Sequence, residues 1–538
     1  MADANQALRF AQEQRPVSSL LHHSPAFILL VIAIADAGRL ADSDLWNHLR
    51  TGQITLSTRH LIRYDPYSYT AFGHLWRNHE WLSQVALAAS YNCLGVFGLK
   101  LLKLLCAAAT ISFLALGLAE TAAPAHVQRA VLMAVAVALV PQMQFRPHLA
   151  TFVLLSLVLA LLARDTYRSP PRLWPLIPIF ALWANLHGGC LAGLAAMATY
   201  TAVVAADELR RRQGWHRSAR LATITVACAF AALANPDGIG IWDTVTRSAT
   251  NPVIRAAISE WQPLLGRLGI QWHLFAPGVI VYLLPLALFA ALAVAVFLTP
   301  SFDDAALVAI AALFVVGAFI SARNMALAVI ALSAPLARHA GVALGKRPAG
   351  VATSFAPTER MAEKEPGRVV ADAGSRFNPL FASALAVALA AATGLFSNRM
   401  GTAQHYPVGA VAFMKKHNLH GNLLCDYNWG DYLIWHTAPA SKVFIDGRCE
   451  TVYPTRVIID YLNFYFGLAG AERVLRGYPH DFVILPPDSK GYGVVAGNPD
   501  WKLLYRDPDA ALFARSTSQA AGLAGVPVTG PAIPAFFP

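Results

Sequence analysis

The stretch Asp42-Ser43-Asp44-Leu45-Trp46-Asn47-His48-Leu49-Arg50 puts two carboxylates two residues apart, close to a histidine and an arginine. Acids at that spacing can chelate a cation or take a proton, and both actions strengthen where water is scarce; they can equally form a solvated stop to a helix. A further acid, Glu260, stands in Ile258-Ser259-Glu260-Trp261-Gln262-Pro263, where it suits a ligand or proton acceptor as well as an ordinary acid at a helix start. Arg323, in Ser321-Ala322-Arg323-Asn324-Met325, offers a permanently charged fork of donors matched to phosphate, although a snorkelling or topology-setting arginine has the same signature. Two smaller groups, Phe145-Arg146-Pro147-His148 and Asn185-Leu186-His187-Gly188-Gly189, interrupt apolar runs with polar residues and helix breakers. The wall of a wet cavity and a tight turn both fit them.

These residues must be held by membrane-spanning helices. Of the 538 residues, 56% are hydrophobic and only 14% charged, which excludes an ordinary soluble globular chain. Segments long and apolar enough to span fall near 24–41, 100–119, 129–143, 148–163, 173–186, 189–206, 218–234, 274–298, 304–321, 324–342 and 379–397. A twelfth stretch, 81–98, is ambiguous, and the parity of the loops requires it to lie along the membrane. The net charge of +11 is spread over short loops, so nothing marks a nucleic-acid partner. The clusters Arg164/Arg168/Arg172 and Arg210 to Arg220 set those loops inside by the positive-inside rule. By that orientation 42–80, 143–148, 235–272, the turn at Arg323 and the tail share the external face. The expected organisation is a transmembrane domain over 1–343 with external loops 42–80 and 235–272, a cytoplasmic linker over 344–378, a last span over 379–397 and an extracytoplasmic tail over 398–538.

The tail changes character. A helix over 407–418, strands at 421–426, 442–446, 481–485, 502–506 and 511–515, and helices within 454–476 predict an α/β sheet domain. Ligands in such folds sit at the carboxyl ends of parallel strands, which singles out Asp426-Tyr427-Asn428 and Asp446-Gly447-Arg448; Asp446 and Arg448 can bind an acceptor or simply pair with each other. Cys425 and Cys449 could bridge if the tail lies outside the cytoplasm. The Ala/Gly/Pro-rich stretch after Arg515 reads as disordered.

Taken in order, the three main groups resemble the GT-C glycosyltransferases, and within them the catalytic subunits of oligosaccharyltransferases. Asp44 six residues before Arg50 resembles the first-loop motif of that family. Ser259-Glu260-Trp261-Gln262-Pro263 resembles its Ser/Thr-x-x-Glu element, and Arg323 with Met325 and Ala334-Pro335 resembles its helix-start arginine. Tyr427-Asn428-Trp429-Gly430-Asp431-Tyr432 is similar to the Trp-Trp-Asp-Tyr-Gly motif that opens the family's tail, with one tryptophan missing and a glycine intervening. The family's second acidic pair has no counterpart in Gln142 to His148, although Glu80 is a substitute within reach.

The resemblance implies a polytopic GT-C membrane domain of about 11–12 spans with a C-terminal α/β domain. The activity it implies is inverting transfer of a sugar or glycan from a polyprenyl-phosphate-type lipid donor to a glycan, lipid or protein acceptor. The setting would be a bacterial-type inner membrane, with the tail in the periplasm. Asp44, Glu260 and Arg323 would be catalytic, with Asp44 and Glu260 holding Mg2+ or Mn2+. Arg50, Arg146, His148, His187, Trp429, Asp431 and Tyr432 would bind substrate. Many spans with polar breaks also describe a lipid-glycan flippase or transporter, and a non-catalytic envelope scaffold is a further alternative.

Overall fold

The computed structural model describes residues 40–273, 279–301, 303–345, 394–402, 404–523, 528–529 and 533–538. Among them, six helical stretches are long and apolar enough to cross a membrane: 81–120, 125–142, 148–167, 190–210, 281–298 and 322–345. Leu176–Leu186 and Ala305–Ile320 are apolar but shorter. The chain is a multi-pass helical membrane protein with a mixed α/β tail. The expected span 218–234 falls on the 16-residue helix His216–Ala231, which is not among the stretches long and apolar enough to cross, while the expected spans 24–41 and 379–397, and the linker 344–378, fall largely outside the described residues.

The ambiguous stretch 81–98 is helical and runs into the next span as one element, Trp81–Glu120, divided at Gly95 by φ 61 and ψ −147. A glycine is needed there because φ is positive. The two halves meet at a sharp corner: a side chain on Gly98 would collide with the Ser90 carbonyl. The first half packs on α1 (Leu45–Thr58), whose Gly52 lies directly against the Gln84 carbonyl and Ala88. Beyond the corner, Lys100 donates to the carbonyls of Gly394, Ser397 and Arg399 at 2.7, 2.9 and 3.2 Å, anchoring the chain where the tail begins.

Two sheets organise the tail. The larger has the order β4-β3-β5-β7-β6-β8. Its parallel core is β4 (Lys442–Val443), β3 (Asn422–Cys425) and β5 (Phe482–Leu485), and β7 (Ala511–Arg515) runs antiparallel to β5. Then come β6 (Trp501–Arg506), antiparallel to β7, and β8 (Val528–Thr529), parallel to β6. The smaller sheet joins β1 (Leu40–Ala41), β2 (Met400–Thr402) and β9 (Phe536–Phe537). The tail strands therefore follow the sequence expectation, with one correction. The stretch after Arg515 contributes β8 and β9, because Phe537 is apolar enough to be buried against Trp46, with ring centroids 5.1 Å apart.

The first loop is built into the tail. β1 pairs with β2 immediately before Asp42, and Ser68 bridges Val443 on the edge strand β4, with Val443 N–H donating to Tyr67 O at 3.0 Å. One hydrophobic core accordingly runs from Ala41, Trp46, Leu49 and Trp76 through Phe145 and Ile254 into the tail. A separate core fills the helical bundle. At the far end of that bundle Asp165 holds Arg217 at 2.7 Å and Arg220 at 3.2 Å, so part of the basic cluster is tied down by a buried acid.

Candidate active site

The joint between loop and tail fixes where the polar residues meet. β1 ends at Ala41, and α1 starts at Leu45 after a turn in which Asp44 N–H donates to Asp42 Oδ1 at 3.1 Å and Leu45 N–H to Asp42 O at 3.2 Å. Asp44 stands at the N-cap position, yet its side chain caps nothing. It turns outward instead. Arg146 enters from the turn between Ala125–Leu139 and His148–Tyr167, held by Arg146 N–H donating to Gln144 O at 2.9 Å, with Pro147 opening the next helix. Glu260 arrives on a short turn that follows a capped helix. Asn251 accepts from the backbone N–H of Val253 and Ile254, Pro252 takes the first helical position, and the helix ends at Ala257. That turn docks on the arginine hairpin, with Ala322 N–H donating to Gln262 O at 2.9 Å and Ser321 Oγ to Glu260 O at 3.2 Å.

Arg146 gathers the acids. Its Nε donates to Asp42 Oδ1 at 2.7 Å, Nη2 lies 3.2 Å from Asp44 Oδ2, and Nη1 reaches Glu260 Oε1 at 3.0 Å and Oε2 at 3.2 Å. Each nitrogen thus faces a different carboxylate. Electrostatics then separates the acids. Burial pushes Asp44 up to about 7, and the charges of Asp42 and Glu260 add to that against the pull of Arg146. Burial acts on Asp42 and Glu260 in the same upward sense, but Arg146 outweighs it and both stay below the usual carboxylate range.

On its other side Asp44 meets the tail. A Cβ on Gly447 would lie 2.6 Å from Asp44 Oδ1 and would also strike Asp431 Oδ2, so only glycine lets both carboxylates close in. Asp431 is buried, and its Oδ1 has no hydrogen-bond partner among the described residues. Burial first, then the neighbouring Asp446 and Asp44, hold it well above the usual range.

A second polar group adjoins the first. Glu80 Oε1 lies 3.6 Å from His187 Nε2 and 3.8 Å from His79 Nε2. Burial would raise Glu80, but the electrostatic pull of its neighbours, His79 foremost, holds it down to about 2. His187 Nδ1 accepts from Gly189 N–H at 3.0 Å and pairs with the Thr151 hydroxyl at 2.8 Å. That hydroxyl already accepts from Trp183 Nε1 at 3.0 Å. The ring proton therefore belongs on Nε2, facing Glu80. His148 donates from Nε2 to Gln142 O at 2.8 Å, its ring centroid 6.5 Å from that of His187.

Arg323 is exposed and lies over the Trp261 ring, 5.0 Å from guanidinium carbon to centroid, with no ion pair among the described residues. It is a fork of donors open to an anion.

The fold thus brings together Asp44, Glu260 and Arg146, and sets Arg323, His148, His187 and Asp431 around them. Three residues expected to bind substrate are engaged elsewhere. Arg50 turns to the tail and donates to Ala438 O at 3.4 Å. Trp429 is buried, with its indole N–H donating to His405 O at 2.8 Å. Tyr432 is buried between Trp46 and Tyr406, at centroid separations of 5.5 and 5.0 Å. The joint takes up the Trp429 indole and the Tyr432 ring, whereas Arg50 Nε is buried with no hydrogen-bond partner among the described residues. Asp446 and Arg448 pair with each other, as one of the two readings allowed, and Arg448 also takes Asp65 at 2.6 Å. Cys425 is a buried thiol 3.6 Å from Ile445 O. Among the described residues, no group of three or more His, Cys, Asp or Glu is arranged to hold a metal ion.

No family model matches the chain, and no curated protein matches it. Among solved structures, the Archaeoglobus fulgidus oligosaccharyltransferase in its apo form is similar over 95% of this chain and 75% of that one, at 13% identity and a TM-score of 0.47. ArnT from Cupriavidus metallidurans, bound to undecaprenyl phosphate, is similar over 95% of this chain and 100% of that one, at 13% identity and a TM-score of 0.42.

Proposed function

We propose that the chain is a membrane glycosyltransferase of the GT-C type, moving a sugar or glycan from a polyprenyl-phosphate-type donor to an acceptor. The reaction would take place at the end of the bundle capped by the tail, which this reading sets outside the cytoplasm. The observation that carries it is the meeting of Asp44, Glu260 and Arg146 beside the exposed Arg323, which has no ion pair among the described residues. These are the residues on which the sequence resemblance rests, joined by an arginine that the motifs alone do not feature.

The chemistry follows from the charges. Asp44, with its pKa near 7, is poised to accept the proton of an acceptor hydroxyl or amide as that group attacks the anomeric carbon. Attack from the face opposite the leaving phosphate gives inversion. Arg323 stabilises the charge that gathers on the departing phosphate, and His187 and His148 line the approach. A lipid chain has a surface to follow at the same end: an open apolar groove of about 350 Å³ lined by Val226, Ala229, Phe230, Leu233, Ile239 and Trp242. Beside that groove, Arg63 Nη2 donates to Pro236 O at 3.0 Å, tying the first loop to it.

The divalent ion that the resemblance implies does not fit the acids as they stand. Both expected ligands, Asp44 and Glu260, point at Arg146, and no step of the reaction is routed through a metal.

The test is transfer from polyprenyl-phosphate-linked sugars by the full chain in vesicles, comparing wild type with Asp44→Asn, Glu260→Gln and Arg323→Ala. Loss of transfer in folded Asp44→Asn, by two or more orders of magnitude, is expected. Full activity in that variant overturns the mechanism.

A further inference from the structure

We propose that Arg146 is the resident cation of this site, and that the acids around it bind no divalent metal. The inference takes its meaning from the proposed function, but its test does not depend on transfer.

The geometry is that of a filled site. The three guanidinium nitrogens that bear the contacts, Nε, Nη2 and Nη1, are directed at Asp42, Asp44 and Glu260 respectively, at 2.7, 3.2 and 3.0 Å. A magnesium ion needs its oxygens at about 2.0–2.1 Å in a near-octahedral shell. The point on which these three carboxylates converge is already the guanidinium. A dication placed there would stand within contact distance of a second, permanent positive charge.

Arg146 is also not free to leave. Its backbone is pinned in the turn by Gln144 O at 2.9 Å, by Leu149 N–H donating to Arg146 O at 3.2 Å, and by Pro147 next to it. Asp44 supports the same conclusion from the other side. It shares Gly447 with Asp431, and its Oδ1 also accepts from the Ser43 hydroxyl at 3.1 Å, so both of its oxygens are engaged by the protein. Glu260 is fixed through the contacts of its own turn with Ser321 and Ala322. A fixed guanidinium can do the structural work of a metal here: it holds three acids from two separate loops in register and keeps Asp42 and Glu260 ionised, leaving Asp44 to exchange a proton.

The experiment is a Mn2+ titration of the purified full chain in nanodiscs, followed by the loss of the free-ion paramagnetic resonance signal, without donor or acceptor. Wild type is expected to show no stoichiometric Mn2+ site in the micromolar range. Arg146→Ala should gain one, because three acids lose their common cation, and the gain should vanish in Arg146→Ala/Glu260→Gln. Arg146→Lys keeps a positive charge and should gain none. Stoichiometric binding by wild type that disappears in Glu260→Gln overturns the proposal, as does a folded Arg146→Ala that binds no Mn2+. Transfer unaffected by a chelator is the corresponding expectation in the activity assay; its absence under all conditions would count against the proposed function while leaving the Mn2+ result intact.

Discussion

Asp44 and Asp431 close on the same bare Cα, that of Gly447, one from the loop that opens the membrane domain and the other from the tail. Two carboxylates so placed do not ionise independently. Burial holds both up, Asp44 to about 7 against the pull of Arg146 and Asp431 well above the usual carboxylate range beside Asp446 and Asp44.

The raised pKa of Asp44 predicts the pH dependence. Transfer that needs ionised Asp44 should rise with pH through about 7. The charges that set that midpoint are Arg146, Asp42 and Glu260, so Asp431→Asn should leave it nearly unmoved, whereas an aspartate pair that shared its charge equally would show a downward shift. Initial rates across pH 5.5–8.5 for the two proteins distinguish these outcomes.

The same shift has a consequence for stability. Asp44 has a folded pKa of about 7 against an unfolded value of 3.8. Its contribution is fully present below the lower value and is lost as pH rises through the upper one. Asp44→Asn, which never ionises, should therefore raise the Tm relative to wild type above pH 7 by a few degrees. The difference should shrink toward pH 4, and thermal melts at the two ends check it. An Asp44→Asn protein less stable than wild type at pH 8 would contradict the burial argument.

Trp46 supports a prediction about the joint. It is fully buried, with ring centroids 4.7 Å from Tyr406, 5.5 Å from Tyr432 and 5.1 Å from Phe537, all in the tail. Trp46→Ala should cost roughly 3–5 kcal/mol and loosen the tail from α1. Limited proteolysis should then release a fragment beginning near residue 400 faster than in wild type, with the helical bundle left intact.

Much of this arrangement was legible in the sequence, and the reason is periodicity. Most helices expected as spans, where described, and the tail strands follow apolar patterns that secondary structure must satisfy, so their positions agree to within a few residues. The acids Asp44 and Glu260 and the arginine Arg323 stood out because charge is costly beside a membrane. What the pattern could not reveal was pairing between distant segments. Nothing local to Arg146 indicates that it takes three acids, and nothing local to Gly447 indicates two carboxylates, although a glycine wedged between Asp446 and Arg448 marks a close approach. Trp429 and Tyr432 matched a motif, yet the packing of the joint claims both. Phe537 lay in a stretch of low complexity whose one buried ring decides where the chain ends up.

Arg448 offers a test of how the first loop is fastened. Its Nε and Nη2 take both oxygens of Asp446 at 2.8 and 2.6 Å, while Nη1 takes Asp65 at 2.6 Å, and the guanidinium lies over Tyr67 and Trp76. Asp65 in turn accepts from the backbone N–H of Tyr67 and Ser68, at 3.1 Å each. Lysine cannot reproduce the fork. Arg448→Lys should lose roughly 2–4 kcal/mol and speed hydrogen exchange over 59–76, with little change in the bundle helices.

Arg323 separates binding from chemistry. Because it is exposed over Trp261 and ties no carboxylate among the described residues, its removal should leave the fold unaffected. If it grips the phosphate equally before and during transfer, Arg323→Ala raises KM for the donor and spares kcat. If it answers charge that appears only as the bond to the sugar breaks, kcat falls and KM holds. The expectation is the second pattern, a fall of about 10²–10³ in kcat, with partial rescue by Arg323→Lys, since a point charge recovers attraction but not the paired geometry of a guanidinium on a phosphate. Donor-saturation curves for the three proteins decide it, and a kcat unchanged in Arg323→Ala would remove Arg323 from the chemical step.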